Sequence, residues 1–193
     1  MNRKIITLMI GALALGGMLQ GCVAVVAGGA ATGAAVAHDR RSAGTVLDDQ
    51  TIEVKAIAAI LSDKELSNSA HINVTSYNYA VLLTGEAPSE ELRKRAEELV
   101  RKIEKVKNVH NEITIAAPSS MVSRSSDTVL TGKVKANMVG LEGLDPTRVK
   151  VVTENGVVYL MGLVTRAEAD IAANAASKTT GVQRVVKIFE YIG

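Results

Sequence analysis

The sequence predicts a two-domain α+β protein in which one small αββαβ module occurs twice in tandem, and three observations predict it. Residues 72–85 align without gaps on residues 149–162 at a constant offset of 77. Each copy is a pair of β-rich runs broken at Asn78 or at Asn155-Gly156, and Asn-Gly between such runs is the strongest short hairpin signal. A helical period and a last β-rich run then follow in both copies, and self-similarity at a fixed spacing marks a repeated structural unit.

Taken in order, each module opens with an apolar-periodic segment, roughly residues 51–61 and 127–139, which reads as a helix opened by Asp49 or Asp127. The hairpin follows and closes on Gly85 or Gly162, which suits a bend where the chain leaves the sheet. Ser89 and Thr165 are good N-caps for the next helix, and Thr165-Arg166-Ala167-Glu168 has the pattern of a capping box. Leu92, Ala96, Leu99 and Ile103 give that helix an apolar stripe in the first copy; small Ala169, Ala172, Ala173 and Ala176 do so in the second. Residues 106–113 and 182–188 are the final strands. The expected modules are therefore 48–117 and 127–193, joined by a serine-rich linker at 118–126, each a small three-stranded sheet with two helices on one face.

The start of the chain reads as an export signal. Arg3 and Lys4 precede an apolar run from Ile5 to Leu19, and Leu19-Gln20-Gly21-Cys22 ends it. A spanning helix needs roughly twenty apolar residues, and this run is shorter and rich in glycine. A signal cut without lipidation would share that layout. The single cysteine of the chain, however, stands where a lipobox needs its thiol, so residues 1–21 are expected to be removed and Cys22 to carry diacylglycerol. With one cysteine no intrachain disulfide can form, and the modules must rest on their cores. Residues 22–47, dominated by Ala, Gly and Val after Cys22, read as a tether.

From Cys22 onward the chain holds 20 basic and 20 acidic residues, so the net charge of +2 belongs to the signal. Residues 48–117 carry 12 acids and 9 bases, whereas residues 118–193 carry 7 acids and 9 bases, which makes the second module the better partner for anions. There is no tryptophan and one phenylalanine, Phe189, so platforms for stacking nucleic-acid bases are poorly supplied.

The lipobox, the glycine after each hairpin, Gly181 ahead of residues 182–186, and above all the tract 151–165 (VVTENGVVYLMGLVT) carry a resemblance across essentially the whole chain. The chain resembles the dual BON-domain lipoproteins of the Gram-negative envelope. Lys105 stands where the second copy has Gly181, so that turn is expected to differ. The resemblance implies an outer-membrane lipoprotein facing the periplasm, with Val23 after the cysteine compatible with outer-membrane sorting. It also implies binding of anionic phospholipid (cardiolipin, phosphatidylglycerol) by the first helix of the second module. A role in outer-membrane integrity, enrichment at the division site and contact with the outer-membrane protein assembly machinery are implied in the same way.

The residues of that helix make such binding physically sensible. At 100° per residue Leu130, Val134, Asn137, Met138 and Leu141 share the core-facing side. Val129, Gly132, Ala136 and Val139 share the opposite side, flanked by Lys133 and Lys135. A core helix needs one apolar stripe; a second one edged by ammonium groups suits a helix lying in an anionic headgroup layer. Isolated surface valines are common, and on residues alone the two readings are even. A representative of the family carries tryptophan, a stronger interfacial anchor, where this chain has Val129.

In the first module the matching helix has Ile52, Ala56, Ala59 and Ile60 on one side and Val54, Ile57, Ala58 and Leu61 on the other. A helix apolar nearly all round is normally buried, so this one is expected to pack against the second module. His38, His71 and His110 have no serine or carboxylate at a motif spacing, although His71 and His110 are placed to meet across a sheet. Glu90, Glu91, Glu97 and Glu98 interleave with basic residues as a solvated helix face. No catalytic residue, metal ligand set or cofactor motif is assigned, which leaves binding as the expected activity.

Overall fold

The computed structural model describes residues 39–193; the expected signal, Cys22 and the first part of the tether lie outside the described residues. The first module comprises α1 (Ala43–Ser62), α2 (Lys64–Ser69), β1 (His71–Tyr77), β2 (Ala80–Ala87), α3 (Glu90–Arg101), β3 (Asn108–Asn111) and β4 (Thr114–Ile115). The second comprises α4 (Met121–Met138), a 3-10 turn (Pro146–Arg148), β5 (Lys150–Glu154), β6 (Val157–Val164), α5 (Arg166–Ser177) and β7 (Arg184–Tyr191). Among the described residues no helix is long and apolar enough to cross a membrane.

In both modules the hairpin is antiparallel and the last strand returns parallel to its second arm. β4 continues β3 in the same register on β2, interrupted at Glu112-Ile113 where Ile113 N–H donates to the Asn111 side chain. Alternation along the central strands sends successive side chains to opposite faces. Val81 and Leu83 face a core with Ile52, Ala56, Leu92, Ala96 and Val100, while Val158 and Leu160 face one with Leu130, Val134, Met138, Ala169, Ala172 and Ala176. The intervening residues form a third core of Tyr77, Leu82, Tyr159 and Met161, in which the two sheets meet. Burial there pushes the Tyr159 phenol up to about 12, so it stays neutral. The described fold is thus helices, sheet, sheet, helices.

Both opening helices begin earlier than their apolar period suggests: Ser42 caps α1 through Thr45 N–H and Ser120 caps α4 through Ser123 N–H. Residues 43–47 of the expected tether and 121–126 of the expected linker are consequently helical. Asp49 and Asp127 are therefore internal, and both are buried. α1 does not pack against the second module along its far side, because Val54 and Leu61 are 68% and 64% exposed. The sheets pair with each other instead and leave that side of α1 to solvent. Leu141, assigned to the core side, lies beyond the end of α4 and is 37% exposed. His71 pairs opposite Glu86 and His110 opposite Leu82, so the two histidines are not neighbours.

The glycines after the hairpins are not where the chain leaves the sheet; β2 and β6 run on through Gly85 and Gly162. Close approach demands them. A Cβ at Gly85 would sit 2.0 Å from the His71 carbonyl oxygen, and one at Gly162 would sit 2.5 Å from that of Arg148. The turn before the last strand is shared as well: Lys105 adopts φ 71° where Gly181 adopts φ 103°, so both copies keep positive φ there.

Candidate functional site

The outer side of α4 is set by what holds its inner side. Leu130, Val134 and Met138 are buried in the second core. Three polar rungs fix its rotation. Asp127 accepts N–H bonds from Asn155 and Gly156 at 2.9 Å each, Thr131 bonds Thr153 at 2.7 Å, and the Asn137 amide donates to Thr179 at 2.9 Å. Asp49 does the same for the first hairpin, accepting from Asn78 and Tyr79 N–H at 2.7 and 2.8 Å. The sequence suggests helix openers at these aspartates; their equivalent places in the two copies are the signal for a shared hairpin clamp.

Held this way, α4 leaves Val129, Gly132, Lys133, Lys135, Ala136 and Val139 exposed, with Val129 at 58% and Val139 at 68%. At 1.5 Å per residue the strip is about 15 Å long. Among the described residues neither Lys133 nor Lys135 forms an ion pair, whereas Lys105, Lys150 and Lys187 are each paired with a carboxylate. Val129 and Lys133 also border an open cavity of about 650 Å³ lined further by Asn155, Gly156, Gly181 and Gln183. The strip thus sets exposed apolar side chains beside two exposed ammonium groups on one helix face.

α1 presents a second apolar surface, with Leu47 and Leu61 each 64% exposed, Val54 68% and Ile57 43%. Lys55 is the exposed cation within it, so it is less basic than the strip on α4.

Two polar features were not anticipated. Arg40 donates to both carboxylate oxygens of Glu168 at 2.7 and 2.9 Å, and Arg148 adds a third bond at 2.9 Å. The Arg40 guanidinium, helped by Thr165 N–H and Arg148 and opposed by burial, lowers the Glu168 carboxyl to about 2. Arg41 likewise bonds Asp39 and Asp49 and lies 3.8 Å over the Tyr77 ring. Residues 39–41 are thus fastened to both modules. Nothing local in the sequence announces such pairings, since Arg40 and Glu168 are 128 positions apart.

Duplicated αββαβ modules joined sheet to sheet, with an apolar and basic helix face turned outward, define a tandem-repeat α+β protein. The chain belongs to the BON-domain family: the family model described as "BON domain" matches residues 48–117 and 126–193. It is 42% identical over 174 residues to "Outer membrane lipoprotein DolP" of Haemophilus influenzae, covering 90% of each chain. It is also 36% identical to the "21 kDa hemolysin" of Actinobacillus pleuropneumoniae, covering 80% of this chain and 79% of that one. Similarity extends at 30% identity to "Osmotically-inducible protein Y" of Escherichia coli, covering 74% of this chain and 72% of that one.

Proposed function

We propose that this protein is an outer-membrane lipoprotein, anchored through Cys22, that binds anionic phospholipid through α4 and supports outer-membrane integrity. The similarity to an outer-membrane lipoprotein over 90% of the chain supports the location. One observation carries the activity: Val129 and Val139 stand exposed beside Lys133 and Lys135, which form no ion pair among the described residues, while the opposite side of the same helix is sealed in the core. Each lysine near an anionic surface contributes about 1 kcal/mol, and the valines add apolar burial among the headgroups. The acyl anchor raises the effective concentration of α4 at the bilayer, so modest headgroup affinity concentrates the protein where cardiolipin and phosphatidylglycerol gather, the division site included.

Flotation with vesicles tests this. Chain lacking residues 1–22 should float with cardiolipin vesicles and not with neutral ones. Lys135→Glu together with Val139→Glu should weaken binding by about thirtyfold or more. Equal flotation of the double variant would refute the assignment to α4.

The exposed face of α1 favours a second reading, in which the protein contacts other envelope proteins, the outer-membrane assembly machinery among them, and touches lipid incidentally. In that case vesicle binding would be indifferent to lipid charge, and Val54→Glu with Leu61→Glu would remove the protein contacts.

A further inference from the structure

We propose that His71, Glu86 and Glu154 form a binding site for a divalent first-row transition cation of the zinc class, bridging the two modules. One ligand atom from each of the three side chains lies within 4.8 Å of the others. His71 and Glu86 are cross-strand partners on β1 and β2, and Glu154 ends β5 of the other module. His71 Nδ1 stands 3.1 Å from Glu86 Oε2. Two donors about 2.1 Å from a common ion lie about 3.0 Å apart at octahedral angles and about 3.4 Å apart at tetrahedral ones, so this pair is already spaced as neighbouring ligands. The Glu154 carboxylate oxygen stands within 4.8 Å of both and would complete a three-ligand set by closing on the ion.

Charge points the same way. Glu86 and Glu154 are 2% and 6% exposed. Glu86 accepts from the Asn155 amide at 2.6 Å and from Ser119 N–H at 3.2 Å, and Glu154 accepts from Asn73 at 2.8 Å and Thr84 at 3.1 Å. Among the described residues, every group bonding these two carboxylates except His71 is a neutral donor. Two buried carboxylates set close together across the module junction offer a dication two oxygen ligands. The same donors orient the carboxylates, as the outer partners of metal ligands do. His71 and Glu154 also line a cavity of about 430 Å³, which supplies an entry path and room for water on the remaining positions.

The ligand set, one imidazole and two carboxylates, fits zinc or its first-row neighbours and not the all-oxygen shells of magnesium and calcium. Binding requires the imidazole tautomer that leaves the Nδ1 lone pair free, with its proton on Nε2. Because the ligands come from both modules, occupancy tightens their junction.

The test uses the full chain in detergent with Cys22→Ser, so that the unlipidated protein carries no thiol to compete for the ion. Equilibrium dialysis against zinc chloride should give one equivalent bound, and a hundredfold excess over the dissociation constant should raise Tm by about 5 °C or more. Magnesium chloride should do neither. His71→Gln and Glu154→Gln should each abolish both effects while keeping the metal-free Tm within a few degrees. Should either variant fold poorly, the His71 ring-nitrogen resonance of the parent chain decides, since zinc must shift it. Absence of stoichiometric zinc binding, binding unchanged in both variants, or a His71 resonance indifferent to zinc would overturn the proposal.

Discussion

The carboxylate of Asp127 accepts the N–H of Gly156 at 2.9 Å, tying the middle of α4 to the tip of the hairpin between β5 and β6. Its second oxygen takes Asn155 N–H, so one buried side chain satisfies two turn donors and fixes which way α4 faces. Asp127→Ala leaves both donors without their charged acceptor and is expected to cost about 3 kcal/mol. Asp127→Asn should cost less, because its carbonyl still accepts one bond. Urea denaturation measures both; a loss under about 0.5 kcal/mol for the alanine variant would show that the clamp is incidental.

Glu168 makes stability depend on acid. Its folded carboxyl titrates at about 2, below the unfolded value of 4.5, so its contribution is present above pH 4.5 and is lost as pH falls through 2. A depression of that size corresponds to about 3 kcal/mol. Glu168→Gln should flatten this acid limb of a stability profile followed by circular dichroism, and Arg40→Ala should move the limb to higher pH. An unchanged profile in both variants would remove Glu168 from the account.

Lys105 occupies a backbone conformation that the second copy gives to glycine. Its exposed ammonium bonds half-buried Asp48 at 2.8 Å, a surface contact of little net worth. Lys105→Gly is therefore expected to raise stability by about 1 kcal/mol, read from the thermal midpoint. A clear decrease would mean that the ion pair outweighs the relief of strain.

What was legible in the sequence was local. The Asn-centred hairpins, the caps at Ser89 and Thr165 and the inward row Leu130, Val134, Met138 depend on neighbours within a few positions, and the structure has them all. Asp49 and Asp127 were misread because a buried aspartate and a capping one look alike until the hairpin is folded beside them. The all-round apolarity of α1 suggested a helix covered on both sides, but the cover went to the sheets. The signal for that lay in β2 and β6, whose nearly unbroken apolar runs betray strands buried on both faces. The cluster at His71 was invisible for a plainer reason: its members come from three strands of two modules.

The central claim is that α4 meets anionic lipid with its outward strip. Titrating vesicles against the isotope-labelled backbone amides of the chain tests it most directly, residue by residue. Cardiolipin should shift or broaden the amides of residues 129–139 and leave those of α1 unmoved, and neutral vesicles should do neither. Perturbations gathered on Leu47, Val54 and Leu61 instead, with α4 silent, would contradict it.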